Sequence, residues 1–370
     1  MISFLSSAFR GIIPRVLASL MAGAALAQTS SSPPAAADLR QIAQQAYIFA
    51  YPLVVMDVTR RATTQGGGGY RQLANRFAHA LVFPDDKFRQ VIRPNADTLY
   101  SVSWLDLSKE PVLLHVPDTK GRYYLFQLLD AWTETIASPG KRTTGTGEGW
   151  FAIVGPGWSG KLPDGVKRID CPTNTAWLLG RTQTNSAADY DLVHAIQRGY
   201  KLVPLSSYPE EPPAAAYDPT QPPPRANVAP PAQVAQMSPT DFFQLAAQLL
   251  PANPAHTADA PVMSQLAKIG IVAGKPFPAK QLAEADLKAI DEGAHAAAAQ
   301  MAAFDGTKLP AGPTGWTRPG SYGRYGTNYT MRAIVARYFF GALPSDDAVY
   351  LSCLRDSSGQ PFDGSQRYTM

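Results

Sequence analysis

The chain has 370 residues, 45% hydrophobic and 17% charged, with a formal net charge of +4. This composition is globular and the length suits one large or two ordinary domains. It excludes binding of a polyanion by bulk charge, and no basic cluster points to nucleic acid.

Met1 to Ala27 carries Arg10 and Arg15, no acid, an apolar run from Val16 to Leu26, and then Ala25-Leu26-Ala27. That is the layout of a secretory signal peptide, followed by a flexible N-terminus over 28–37. Loss of both arginines would leave a charge of +2. The apolar run is shorter than the ~20 residues a spanning helix needs, so a periplasmic or secreted protein, with no membrane segment after cleavage, is expected. No cysteine stands at the cleavage point. Cys171 and Cys353 lie far apart and are expected as free thiols, and no Cys/His spacing suits a metal.

Asp38 opens the first helix, with Gln41 placed as in a capping box. Leu39, Ile42, Ala46, Phe49 and Leu53 recur at helical spacing. Pro52 is expected to kink or divide this helix, and Tyr47 and Tyr51 share one face. Gly66 to Gly69 is a loop that lacks the Lys-Ser/Thr of a phosphate loop. Asn75, Arg76 and His79 precede Phe83-Pro-Asp-Asp86, and His79 is a candidate to face the same cleft as the turn that follows.

That turn runs from Arg93 to Ser101 and packs a cation, an amide, a carboxylate, hydroxyls and a phenol into one stretch. Pro94 holds Arg93 out of the helical region, and Asn95 and Asp97 are turn formers. Short β-segments follow at Thr98–Trp104, Val112–Val116, Tyr123–Leu129, Trp150–Val154, Val166–Ile169 and Ala176–Leu179. Turns such as Pro117-Asp-Thr-Lys-Gly121 and Pro163-Asp-Gly165 separate them, which argues for an antiparallel sandwich or barrel. Ser186 with Asp189 reads as the capping box of a helix with Tyr190, Val193, His194 and Ile196 on its apolar stripe.

Val203 to Ala235 holds ten prolines and reads as an extended linker or strap, without a regular helix. Ser238-Pro-Thr-Asp241 starts a helix with proline in its first turn. Lys280 to Phe304 forms a long one with Leu282, Leu287, Ile290, Ala294, Ala297 and Met301 facing the core. Asn328 to Gly341 reads as a helix, Ala348 to Arg355 as a strand, and Asp356 to Gly359 as a turn.

Four blocks occur in order: Arg93-Pro-Asn-Ala-Asp-Thr-Leu-Tyr-Ser101, Gly121-Arg-Tyr-Tyr124 through Asp130-Ala-Trp132, Ser138 through Gly147, and Gly180-Arg-Thr-Gln-Thr184. Together they resemble the bacterial family DUF1254, a domain of unknown function. The resemblance implies a jelly-roll-like β-sandwich over 38–206. A Pro-rich linker (207–235) and a helical connector (236–341) would follow. Gly323 to Tyr329 and Asp356 to Tyr368 resemble the start of the partner domain DUF1214, truncated here to 342–370, whose end would leave an unpaired strand edge. The expected class is α+β: an antiparallel sandwich with an N-terminal helix, a helical subdomain and the stub of a second β-domain.

In the resembling blocks, Asp97 and Asp130 are the candidate bases or water-orienting groups and Tyr100 a proton donor. Asn95, Arg122, Tyr124, Trp132, Lys141, Arg142 and Arg181, with Arg324 and Tyr325 from the second half, would bind substrate. Arg122 and Tyr124 lie on one strand face and would grip a carboxylate or sulfate if that face lines a cavity. The alternative is an internal Arg–Asp network. No Gly-x-Ser-x-Gly elbow, dinucleotide fingerprint or His-Glu-x-x-His occurs, and no cofactor or metal is expected. The pattern favours an exported hydrolase acting on a small anionic or amphipathic molecule. A non-catalytic ligand-binding module and a structural or homo-oligomer-forming envelope protein are the alternatives.

Overall fold

In the computed structural model, residues 35–64, 74–85, 95–210, 228–304, 315–317 and 322–369 are described. The leader, the Gly66–Gly69 loop, Arg93 with Pro94, and most of the proline tract lie outside them. Helix α1 (Ala36–Thr64) comes first, then strands β1 (Ala78–His79), β2 (Thr98–Asp106), β3 (Val112–Val116), β4 (Tyr124–Asp130), β5 (Thr135–Ala137), β6 (Gly149–Val154), β7 (Lys167–Asp170) and β8 (Thr175–Gln183). Helix α2 (Tyr190–Gly199) and strand β9 (Lys201–Pro204) follow. The remaining helices are α3 (Pro230–Ala235), α4 (Pro239–Leu249), α5 (Ala260–Lys268), α6 (Glu284–Ala302) and α7 (Tyr329–Tyr338). The fold is mixed helix and sheet, as the α+β expectation requires.

A five-stranded sheet has the order β1-β2-β8-β4-β5 and a four-stranded one the order β7-β6-β3-β9. Alternation sorts the side chains into layers. Leu105, Tyr124, Phe126, Leu128 and Leu178 of the first sheet meet Leu114, Phe151, Ile153 and Leu202 of the second in one buried cluster. The opposite face of the first sheet sets Trp104, Leu129 and Leu179 against Met56 of α1, with Phe340 packed alongside. Gly180 makes this possible, since a Cβ there would run into the Phe126 ring and the Ser101 carbonyl. Helices α1 and α3 to α7 enclose a third, larger core, in which Tyr47 stacks on Phe242 at 4.1 Å.

Several expectations need correction. The second sheet is not wholly antiparallel, because β6 and β7 run parallel. The Gly155–Val166 segment is long enough to carry the chain back for a parallel return. Pro52 does not divide α1: one missing backbone bond is outweighed by a run of buried residues from Ala46 to Met56. Ser186 makes no side-chain cap; Asp189 is instead taken by Arg122. Pro230–Ala235 is helical, because prolines are tolerated in a helix's first turn. Ala348–Arg355 is no strand. It makes one bridge from Ser352 to Thr317 and another from Arg355 to Pro361, and leaves Val349 and Leu351 exposed. A lone apolar alternation without a partner along its length builds no ladder. By contrast, Ser238 and Asn328 cap α4 and α7 by accepting from Asp241 N and Met331 N. Cys171 and Cys353 are free thiols.

Candidate functional site

Strand β4 carries a predicted residue at each end, and the two ends differ. At its start, the Arg122 guanidinium forks onto Asp189, at 2.6 and 2.8 Å, and also donates to the Gln183 carbonyl at 2.9 Å. This pairing holds the Asp189 carboxyl below its ordinary range. Tyr124 does not point to a cleft. Its ring lies in the inter-sheet core and its hydroxyl meets Thr144 Oγ1 at 3.2 Å. The expected grip on an anion is therefore absent here: both side chains are already used by the fold.

At the other end, β4 closes in a turn organised by Asp130, which is fully buried. Asp130 Oδ1 accepts from the backbone of Trp132 (2.9 Å) and Glu134 (3.0 Å), and Oδ2 meets His256 Nε2 at 2.6 Å. His256 stands at the entrance to α5, 23% exposed at its side chain, with Nδ1 3.5 Å from Asp259 Oδ2. Asp259 in turn accepts from the Tyr329 hydroxyl at 3.0 Å. Tyr329 and Arg332 lie on one face of α7, three residues apart, as helical geometry dictates.

Arg332 is fully buried and its Nε and both terminal nitrogens donate to no described group. Its guanidinium carbon lies 5.4, 5.3 and 5.2 Å from the ring centres of Phe49, Trp132 and Tyr329. The nearest carboxylate, Glu134, is 4.0 Å away and accepts from the Tyr325 backbone N–H. Aromatic faces stabilise a desolvated cation, yet a buried guanidinium without acceptors is costly.

These groups set one another's protonation. Asp130, then Asp259, raise the His256 imidazole to about 9, so it is a cation at neutral pH. Burial pushes the Glu134 carboxyl up from its ordinary value. Burial also pushes Asp259 up, but His256 and Arg332 overcome this and hold it low. The centre thus gathers three carboxyl groups, an imidazolium and a guanidinium with no described hydrogen-bond acceptor. Beside Asp130, Thr133 adopts a left-handed backbone with φ of 67°, and its buried hydroxyl finds no partner among the described residues. A β-branched residue is a genuine outlier there.

Of the predicted site residues, Asp130, Trp132 and Tyr325 come together at this centre. Trp132 donates its indole N–H to the Pro254 carbonyl at 2.9 Å. The others are dispersed. Asn95 organises its own turn by accepting from Asp97 N and Thr98 N, leaving Asp97 exposed. Tyr100 receives Asn95 Nδ2 at 3.3 Å and lies under Arg181, its cross-strand neighbour, at 5.0 Å. Lys141 donates to the Gly121 carbonyl, Arg142 pairs with Asp347 and Arg324 with Asp346. His79 bonds Ser101 Oγ through Nδ1 at 2.8 Å, and burial lowers its pKa to about 4. A neutral imidazole beside a hydroxyl is the geometry of an activated serine, but Ser101 is fully buried.

Sequence reasoning missed His256, Asp259, Glu134, Tyr329 and Arg332. The one available signal was local: His256 and Asp259 stand three apart where α5 begins, after the helix-breaking Pro254. Among the described residues, no group of three or more His, Cys, Asp or Glu side chains is placed to hold a metal ion. No described helix is long and apolar enough to cross a membrane.

Residues 74–204, from the turn before β1 through β9, match the family described as "Protein of unknown function (DUF1254)". Among solved structures, the VPA0106 protein from Vibrio parahaemolyticus has a similar fold. It is 21% identical, with a TM-score of 0.59 over 90% of this chain and 74% of that one. No curated protein matches the chain.

Proposed function

We propose that the chain is an exported enzyme, a hydrolase of a small anionic or amphipathic molecule, with the Asp130–His256–Arg332 centre as its working site. The observation that carries this reading is the buried Arg332 guanidinium, without a described hydrogen-bond acceptor, beside an Asp-oriented imidazolium and a carboxyl group raised by burial. Perturbed groups gathered in this way cluster at functional sites. In such a reaction Arg332 would offset substrate negative charge. Glu134 would take the proton of the attacking water, and His256, held by Asp130, would give one to the leaving group. One water is then added across the bond broken. The leader pattern of Met1–Ala27 supports a periplasmic or secreted location. A jelly-roll-like arrangement of the two sheets, a DUF1214-like start at 342–370 and a homo-oligomeric state belong to the same reading.

The test is turnover of nitrophenyl esters, phosphates and sulfates by the chain from Gln28, and by Glu134→Gln and His256→Gln. At least one class should be hydrolysed, with a loss of about 100-fold or more in both variants. No turnover of any class, or turnover indifferent to both substitutions, overturns the reading. A second reading, a non-catalytic binding or structural envelope protein, is favoured by the closed ion pairs of Arg122, Arg142 and Arg324. It predicts that the same variants change stability alone.

A further inference from the structure

Helix α7 carries a second arginine, Arg337, five residues beyond Arg332, so the two project about 140° apart around the helix. Arg337 faces away from the Asp130–His256 centre, into an open groove of about 430 Å³ between α3 and the last turn of α7. The α3 side, from its N-cap Ala229 to its C-cap Gln236, is mostly apolar, with Pro231, Ala232 and Ala235 beside the amide of Gln236, and Tyr338 completes the α7 side. Arg337 is the charged side chain of this lining, and it pairs with no carboxylate among the described residues. Its neighbours are neutral phenols: the Tyr338 ring centre lies 5.3 Å from the guanidinium carbon, and both Tyr338 and the buried Tyr51 favour its charged form without cancelling the charge. Burial pushes the Tyr51 phenol up to about 12, with Arg337 opposing the push.

A volume of this size is that of a small-molecule site, and such sites combine apolar walls with a few polar groups that fix orientation. An anion without a tail would leave the alanine and proline wall uncovered, and a tail without a charge would leave the guanidinium with no counter-charge among the described residues. We infer that the groove binds an aliphatic carboxylate of medium chain length, with its head on Arg337 and its tail along α3. Charge-assisted, bidentate bonding to a planar carboxylate is what a guanidinium does best.

Isothermal titration of the chain from Gln28 with decanoate, acetate and decanol tests this. Decanoate is expected to bind saturably, acetate at least 10-fold more weakly, and decanol at least 10-fold more weakly. Arg337→Gln should weaken decanoate at least 10-fold and leave decanol unchanged. Arg337→Lys, which keeps the charge but not the fork, should fall between. Ala232 is exposed, so Ala232→Trp fills the groove without touching the core and should abolish binding of decanoate. Absence of saturable decanoate binding overturns the proposal. So does an unchanged affinity in Arg337→Gln or in Ala232→Trp, each with a native circular dichroism spectrum.

Discussion

The two ends of β4 treat charge in opposite ways. At the Tyr124 end a partly exposed arginine is already paired: Arg122 spends three of its five N–H donors on a forked carboxylate and a carbonyl, so its charge is matched within the fold. At the Asp130 end a fully buried arginine has three aromatic rings around it and no described acceptor within hydrogen-bonding distance. The first is a staple that joins the sheet to the segment entering α2. The second concentrates uncompensated polarity where the sheet, α1, α5 and α7 meet. Within one molecule, the unsaturated group is the better guide to chemistry.

The contrast is broken most directly at Arg332. Arg332→Met leaves Asp130, Asp259 and Glu134 facing His256 alone. Chemical denaturation should report a loss of about 3–5 kcal/mol, the scale for removing one partner of a buried charge cluster. Glu134→Gln in the same chain should recover part of it. A loss below about 1 kcal/mol would mean that Arg332 is as dispensable as a surface charge.

Next in size is the pH dependence. His256 has its folded pKa raised to about 9 from an ordinary 6.5, so its contribution is full below 6.5 and is lost as pH rises through 9. His79 is lowered to about 4 from the same value, so its contribution is present above 6.5 and is lost as pH falls through 4. Each is worth about 3 kcal/mol. Stability against pH should form a dome near pH 6.5, with His256→Gln flattening the alkaline limb and His79→Gln the acid limb. A dome unmoved by either substitution would detach both rings from the fold's energetics. The smallest effect is expected at the staple: Arg122→Gln should cost about 1 kcal/mol, because Arg122 and Asp189 keep 18% and 12% side-chain exposure.

Much of the sheet was legible because alternation is local. Val112–Val116 was read with its observed bounds, and β2, β4, β6 and β7 within two residues of theirs. Strand β8 was cut short, because the reading stopped at Gly180, where the chain needs a glycine for contact with Phe126 rather than for a turn. The site was legible only through Asp130, Trp132 and Tyr325. His256 reaches Asp130 across 126 residues of sequence, and Arg332 becomes unusual only through what surrounds it in space. Arg122 misled for the mirror reason. Its partner, Asp189, was read as half of a helix cap, so the arginine looked available.

Thr133 bears on how such a turn could be engineered. Its left-handed backbone costs a β-branched residue of order 1–3 kcal/mol, and its unpartnered hydroxyl adds to that. Glycine would sit there without either penalty, so Thr133→Gly should raise the melting temperature, by the equivalent of about 1 kcal/mol. In a search for thermostable variants, a rewarding position would thus be next door to Asp130, where a gain in heat tolerance would be read from a single substitution.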